Sequence, residues 1–215
     1  EAYVRWASTP RRAVNSGRQS IKAPGAALPL PPKQPGSVTW NRWRGPHFNG
    51  ISHETDWIAE FPREGPKMLW RQQIGVGFSS LAIANERVYA MGNKEDHEIV
   101  SCIDAETGKI VWNSGYPAKL DDGLHEGGLS ATPTVQNGKV YALGKDGTFL
   151  CLNASNGATL WKKELTRLTG AERPKYGFSG SPLIMGKQVI LNAGGAGLAY
   201  HKDTGDLIWA SKGLG

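Results

Sequence analysis

Gly108-Lys109-Ile110-Val111-Trp112, Gly157-Ala158-Thr159-Leu160-Trp161 and Gly205-Asp206-Leu207-Ile208-Trp209 are one pattern written three times. Each places a glycine four residues ahead of a tryptophan, with a strand-forming run between them. Lys67-Met68-Leu69-Trp70 is a degenerate earlier copy, and the four tryptophans are 42, 49 and 48 residues apart. Self-similarity at a period of this length marks a repeat architecture.

Each unit carries the same parts upstream of its tryptophan. A Ser/Gly/Pro segment comes first: Gly77-Phe78-Ser79-Ser80, Ser130-Ala131-Thr132-Pro133 and Gly177-Phe178-Ser179-Gly180-Ser181-Pro182. A hairpin-like run follows, with Asn137-Gly138 supplying the chemistry of a two-residue turn and Asn85-Glu86 and Gly186-Lys187 in the same place. A further strand-like run, such as Thr148-Phe149-Leu150-Cys151-Leu152, leads through a Thr-Gly or Asn-Gly turn into the tryptophan strand. Each unit is therefore four short strands.

A four-stranded meander of this length cannot bury both of its faces alone, so the units must stack face to face. Radial stacking gives an all-β fold, a β-propeller, with each unit a blade. The expected structural set is Asp104, Gly108 and Trp112 in the first blade, Asn153, Gly157 and Trp161 in the second, and Gly205 and Trp209 in the third. The glycine permits positive φ at the turn, and the indole is a large apolar plate whose N–H needs an acceptor. Each indole is expected to wedge between neighbouring blades.

Composition agrees with a soluble globular chain: of 215 residues, 39% are hydrophobic and 20% charged, with 28 Gly, 8 Trp and only 2 Cys. These values exclude a collagen, a disulfide scaffold and a simple coiled coil. No run approaches the ~18 apolar residues of a membrane helix, and charges interrupt the first 30 residues, so a mature soluble chain is expected. The net charge of +6 is unevenly placed. Residues 1–36 hold six Lys or Arg against Glu1, whereas residues 37–215 hold 19 Lys or Arg against 18 Asp or Glu. A phosphate-tracking surface needs a clustered positive stripe on the folded body. None is present there, and no nucleic-acid partner is expected.

The chain divides into three parts. Residues 1–36, which contain six of the thirteen prolines, read as an extended basic arm that docks on a partner or wraps the body. Residues 37–65 read as a clasp segment and residues 66–215 as a partial propeller.

The pattern small-x-Asp/Asn-x-x-Thr/Asn-Gly-x-x-x-Trp, here Cys102-Ile103-Asp104-Ala105-Glu106-Thr107-Gly108-Lys109-Ile110-Val111-Trp112, resembles the tryptophan-docking repeat of pyrroloquinoline-quinone-like (PQQ-like) propellers. The second copy runs from Cys151 to Trp161 and the third from Ala199 to Trp209, where His201 replaces the expected Asp. The opening Trp40-Asn41-Arg42-Trp43-Arg44-Gly45-Pro46-His47-Phe48-Asn49-Gly50-Ile51-Ser52 and the stretch Glu126-Gly127-Gly128-Leu129-Ser130-Ala131-Thr132-Pro133 are similar to secreted bacterial members of that family. The resemblance covers residues 38–215. It implies a ring of seven or eight blades, of which this chain supplies three and the last strand of another. An open arc would leave raw faces and strand edges exposed. The expectation is therefore an N-terminal part of a longer protein, with residues 67–73 pairing against C-terminal strands; closure by another chain and a four-bladed ring are the alternatives.

The resemblance implies a non-catalytic scaffold for protein–protein interaction in a periplasmic or otherwise extracytoplasmic bacterial complex, as in members of outer-membrane β-barrel assembly. Its alternative is a quinone-dependent alcohol or sugar dehydrogenase with an active site largely in a C-terminal half. Such dehydrogenases use an adjacent cysteine pair and a calcium site, whereas Cys102 and Cys151 are 49 residues apart at equivalent repeat positions. They read as small buried thiols, too far apart for a disulfide. No cofactor, metal or catalytic residue is assigned.

Three clusters remain. Asp121, Asp122, His125 and Glu126 combine metal-ligand residue types with acid–base chemistry, yet Gly123, Gly127 and Gly128 favour a solvated interblade loop. Asp96, His97 and Glu98 fall near a hairpin tip and read as hydrophilic surface. Arg42, Trp43, Arg44 and His47 join charge to aromatics in a Gly/Pro-rich turn, the residue types of a recognition surface. The other reading is a clasp, in which Trp40 and Trp43 cap the propeller end and the arginines pair with carboxylates.

Overall fold

A computed structural model of the chain describes residues 39–54, 62–63, 65–123, 126–169 and 172–211. The expected arm over residues 1–36 lies outside them, as does part of the clasp segment.

Twelve strands form three four-stranded antiparallel sheets, each in sequence order. The first sheet holds β1 (Ala82–Ala84), β2 (Arg87–Lys94), β3 (His97–Asp104) and β4 (Ile110–Pro117). The second holds β5 (Thr134–Gln136), β6 (Lys139–Leu143), β7 (Thr148–Asn153) and β8 (Thr159–Glu164), followed by a single turn of helix, α1 (Leu165–Thr169). The third holds β9 (Leu183–Met185), β10 (Gln188–Ala193), β11 (Ala196–His201) and β12 (Leu207–Ala210). These are propeller blades, as the repeat predicts.

The turns follow the sequence chemistry. Asn85 and Glu86 (φ 50° and 57°) and Asn137 and Gly138 (φ 49° and 72°) are left-handed pairs, the conformation whose twist matches that of the flanking strands. The innermost strands come together at the inner edge, where β1 neighbours β5 and β5 neighbours β9. Two cores fill the spaces between sheets. One gathers Tyr89, Val100, Cys102, Trp112, Val140, Leu150 and Leu152 from the first and second blades. The other gathers Tyr141, Phe149, Trp161, Leu191, Leu198 and Tyr200 from the second and third.

Each blade has one irregularity in the same place. The β3–β4 register shifts after Cys102↔Trp112, the β7–β8 register after Cys151↔Trp161 and the β11–β12 register after Ala199↔Trp209. A bulge re-aims the neighbouring side chain, so the repeat's tryptophan always sits beside a local break in the ladder. Around Trp70 no ladder forms: residues 67–73 pair with no strand among the described residues.

Candidate functional site

Three structures are candidates for function: the joints between blades, a polar network at the blade connections, and the turn that opens the described chain. The joints repeat. Asp104 Oδ1 accepts the Thr107 backbone N–H (2.9 Å) and hydroxyl (2.8 Å), while Gly108 N donates to Asp104 O (2.9 Å). Asn153 Oδ1 likewise accepts the Ser155 N–H (2.8 Å) and hydroxyl (2.6 Å), and Gly157 N donates to Asn153 O (2.8 Å). Each turn offers one carbonyl to the indole of the preceding unit. Trp70 Nε1 donates to Ala105 O (2.9 Å), Trp112 Nε1 to Ala154 O (3.0 Å) and Trp161 Nε1 to Lys202 O (3.2 Å). The indole covers the turn glycine: a Cβ on Gly108, Gly157 or Gly205 would stand 2.5, 2.6 or 2.8 Å from the ring of Trp70, Trp112 or Trp161. These glycines also hold positive φ of 70°, 73° and 72°, so their identity is fixed twice over.

The third blade departs at two points. Gly205 N still donates to His201 O (2.8 Å), so the backbone turn survives the loss of Asp, but the Thr204 hydroxyl now donates to Asp206 (2.6 Å). Trp209 is 40% exposed, and its N–H goes to the Gln188 side chain of its own blade (3.2 Å).

A polar network ties the blade connections. Glu98, on β3, is 3% exposed; its carboxylate accepts the Tyr116 hydroxyl from β4 and the Lys145 backbone N–H (3.1 Å) from the turn between β6 and β7. Burial pushes the Glu98 carboxyl pKa up, and the hydrogen bonds from Tyr116 and Lys145 oppose that rise. A Cβ on Gly144 would overlap both the Tyr116 hydroxyl and the Glu98 carboxylate, so glycine permits the approach. Lys145, 4% exposed, donates its ammonium to Asp121 O (3.1 Å) in the connection between the first and second blades. Arg173, in the connection to the third blade, pairs with Asp121 (2.9 Å) and Asp146 (2.5 Å). The Arg173 hydrogen bond, and then the charge of Lys145, hold the Asp121 carboxyl below its ordinary range.

The structure corrects one sequence expectation here. Glu98 is not hydrophilic surface, because Tyr116 and the Gly144–Lys145 backbone close over it. Asp121 is exposed in the interblade loop and there pairs with Arg173. Asp96 accepts Leu120 N (2.9 Å), and His97 Nδ1 contacts Glu95 O (2.9 Å). Asp122 and Glu126 are exposed, and His125 lies outside the described residues. Among the described residues no three His, Cys, Asp or Glu side chains gather as metal ligands. Lys145, Tyr116 and Arg173 were not legible as site residues; the only local hint was the Gly144-Lys145-Asp146-Gly147 turn.

Cys102 and Cys151 are buried free thiols facing Tyr89 and Tyr141 across the strands. Burial pushes each thiol pKa up to about 12. They do not supply the adjacent pair that the quinone-dependent resemblance calls for.

The opening turn is rooted in two blades. Trp40 exchanges backbone hydrogen bonds with Ile83 of β1 (2.9 and 2.8 Å), and Asn41 accepts Val135 N of β5 (2.8 Å) while its side chain donates to Val135 O (2.9 Å). Beyond this root, Arg42 lies over Phe48 (4.9 Å) and Arg44 over Trp43 (5.4 Å), and His47 meets His53 edge to face (5.8 Å). The clasp expectation is corrected for the two arginines and for Trp43. Among the described residues neither arginine pairs with a carboxylate; Arg42 Nε donates to Asn41 Oδ1 (3.4 Å) and Arg44 to Asn49 O (3.3 Å). Trp43 is 50% exposed, so it does not cap the propeller end.

The family model PQQ_2, described as outer membrane protein assembly factor BamB, matches residues 54–213. The chain belongs to this family. Among curated relatives, the dehydrogenase subunit of a quinone alcohol dehydrogenase from Gluconobacter oxydans (strain 621H) is 30% identical over 143 residues, 59% of this chain and 18% of that protein. The corresponding subunit from Gluconacetobacter polyoxogenes is 29% identical over 125 residues, 52% of this chain and 16% of that protein. The chain thus spans less than a fifth of the length of these relatives. Among solved structures, BamB from Moraxella catarrhalis aligns with a TM-score of 0.47 at 19% identity, over 67% of this chain and 43% of that one. Quinohemoprotein alcohol dehydrogenase ADHIIG from Pseudomonas putida HK5 aligns with a TM-score of 0.49 at 21% identity, over 65% and 21%.

Proposed function

We propose that this PQQ_2-family chain is a non-catalytic propeller scaffold that mediates protein–protein interaction in a periplasmic or otherwise extracytoplasmic complex. The observation that carries it is the use made of the charged groups at the blade connections. A general acid or base must reach a substrate proton, whereas Glu98 is buried under Tyr116 and Lys145, and the exposed Asp121 is held in an ion pair with Arg173. These groups tie the first two blades and the connection to the third into one frame. Asp104, Gly108, Trp112, Asn153, Gly157, Trp161, Gly205 and Trp209 are its docking set, residues 37–65 its clasp, and the basic arm of residues 1–36 its tether to a larger complex. The family description, an assembly factor, supports this reading.

A second reading is a quinone-dependent dehydrogenase, favoured by the curated relatives. The described residues do not fit a quinone site of the cysteine-pair kind, because Cys102 and Cys151 lie on different blades. Native mass spectrometry of the protein purified from its own cells separates the two. The scaffold reading expects stoichiometric protein partners, and a lone polypeptide carrying a quinone-sized adduct would overturn it.

A further inference from the structure

We propose that the turn of residues 41–50 is a docking site for an acidic peptide segment of a partner protein. This deepens the scaffold reading and rests on it.

The turn is built to stay in one shape. Its root is fixed to β1 and β5 through Trp40 and the buried Asn41. Gly45 N donates to Arg42 O (3.1 Å), Phe48 N to Gly45 O (3.2 Å), Gly50 N to Arg44 O (3.0 Å) and Ile51 N to Asn49 Oδ1 (3.0 Å). Arg44 and Phe48 hold φ of 60° and 58°, a left-handed backbone that non-glycine residues adopt at a cost and that clusters at ligand clamps. A loop free to relax would not keep two such residues.

This rigid turn presents the side chains that dominate binding hot spots. Trp43, Phe48 and Ile51 are 50%, 41% and 55% exposed. Trp, Phe and Arg are enriched at protein interfaces, and an aromatic plate supplies contact area at little entropic cost. The two guanidinium groups stack on those plates. Stacking engages the flat face of a guanidinium, and beyond the donors that Arg42 gives to Asn41 and Arg44 to Asn49 the remaining edge N–H groups are left for a carboxylate.

The charge selects the partner. Residues 41–50, the turn itself, hold Arg42 and Arg44 and no carboxylate, and the Glu54 side chain that follows accepts the Ser52 hydroxyl (3.0 Å). Among the described residues no carboxylate satisfies either arginine, so the complement is acidic. Two guanidinium groups beside two aromatic rings match a short segment that alternates carboxylates with apolar side chains. A nucleic-acid backbone would need a longer positive track, and the nearly neutral body offers none.

The test is fluorescence anisotropy with a labelled Glu-Leu-Glu-Phe-Glu-Leu-Glu peptide, its all-Gln counterpart, and a twelve-residue oligothymidine as competitor. The acidic peptide is expected to bind saturably, at least tenfold more tightly than the Gln peptide. R42A/R44A should weaken it at least tenfold with an unchanged melting temperature, R42K/R44K should restore only part of the affinity, and W43A should weaken it as well. Because Arg42 is partly buried, R44A and W43A carry the test if the double variant loses its fold. Absence of saturable binding, binding indifferent to R44A and W43A, or equal capture of oligothymidine would overturn the proposal. Those outcomes leave the scaffold reading standing, whereas quinone-dependent alcohol oxidation would remove the scaffold reading and leave the peptide result readable.

Discussion

Trp112 Nε1 donates to Ala154 O across 3.0 Å, joining β4 of one blade to the turn after β7 of the next. The same indole lies over Gly157, where a Cβ would stand 2.6 Å from its ring. One residue thus supplies a hydrogen bond and an apolar plate to the interface, and Trp161 does the same against Lys202 and Gly205. Truncating a large buried aromatic costs about 3–5 kcal/mol. Trp112→Ala and Trp161→Ala should each lose about that amount in urea unfolding; a negligible loss would contradict the joint.

Gly157 gives the converse test. Gly157→Ala forces a left-handed residue to carry a Cβ, at about 1–2 kcal/mol, and drives that atom into the Trp112 ring. The expected loss exceeds the backbone term of about 1–2 kcal/mol, which Gly138→Ala, with open space around its Cβ, should show alone.

Glu98 makes stability depend on pH. Its folded pKa is raised by burial, so the native state holds a proton that the unfolded state releases above about 4.3. Stability from this group is therefore fully present below the unfolded pKa and is lost as pH rises through the folded pKa. Glu98→Gln should flatten that slope in melts between pH 4 and pH 7. Glu98→Ala strands the Lys145 N–H and the Tyr116 hydroxyl and should cost about 1–3 kcal/mol. A slope unchanged in Glu98→Gln would contradict the buried carboxylate.

His201 stands where the other blades have Asp104 and Asn153. Those side chains accept the N–H and hydroxyl of Thr107 and of Ser155, and His201→Asp should regain such bonds, adding about 0.5–1.5 kcal/mol. Thermal unfolding of the single variant checks the sign.

Cys102 and Cys151 have thiol pKa values pushed up to about 12 by burial. The thiolate is the reactive form, so both should resist a thiol reagent in the native protein at pH 8 and react once urea unfolds it. Rapid native labelling would contradict their burial.

The blades were legible because their signals are local. Asn137-Gly138 specifies a hairpin, and glycine four residues before tryptophan specifies a docking turn, within a few positions of chain. Glu98 was not legible: it follows Asp96 and His97 at a hairpin tip, and the groups that bury it lie 18 and 47 positions away, at Tyr116 and Lys145. Arg173 meets Asp121 across 52 positions, a separation that no period announces. The residue types of the opening turn were readable, but the guanidinium groups lie over rings rather than against carboxylates.

The measurement that tests the central claim most directly is alcohol-dependent dye reduction by the whole native polypeptide, with pyrroloquinoline quinone and calcium supplied. The scaffold account predicts no turnover above the protein-free control across primary alcohols and sugars. Saturable turnover that requires the quinone would contradict it.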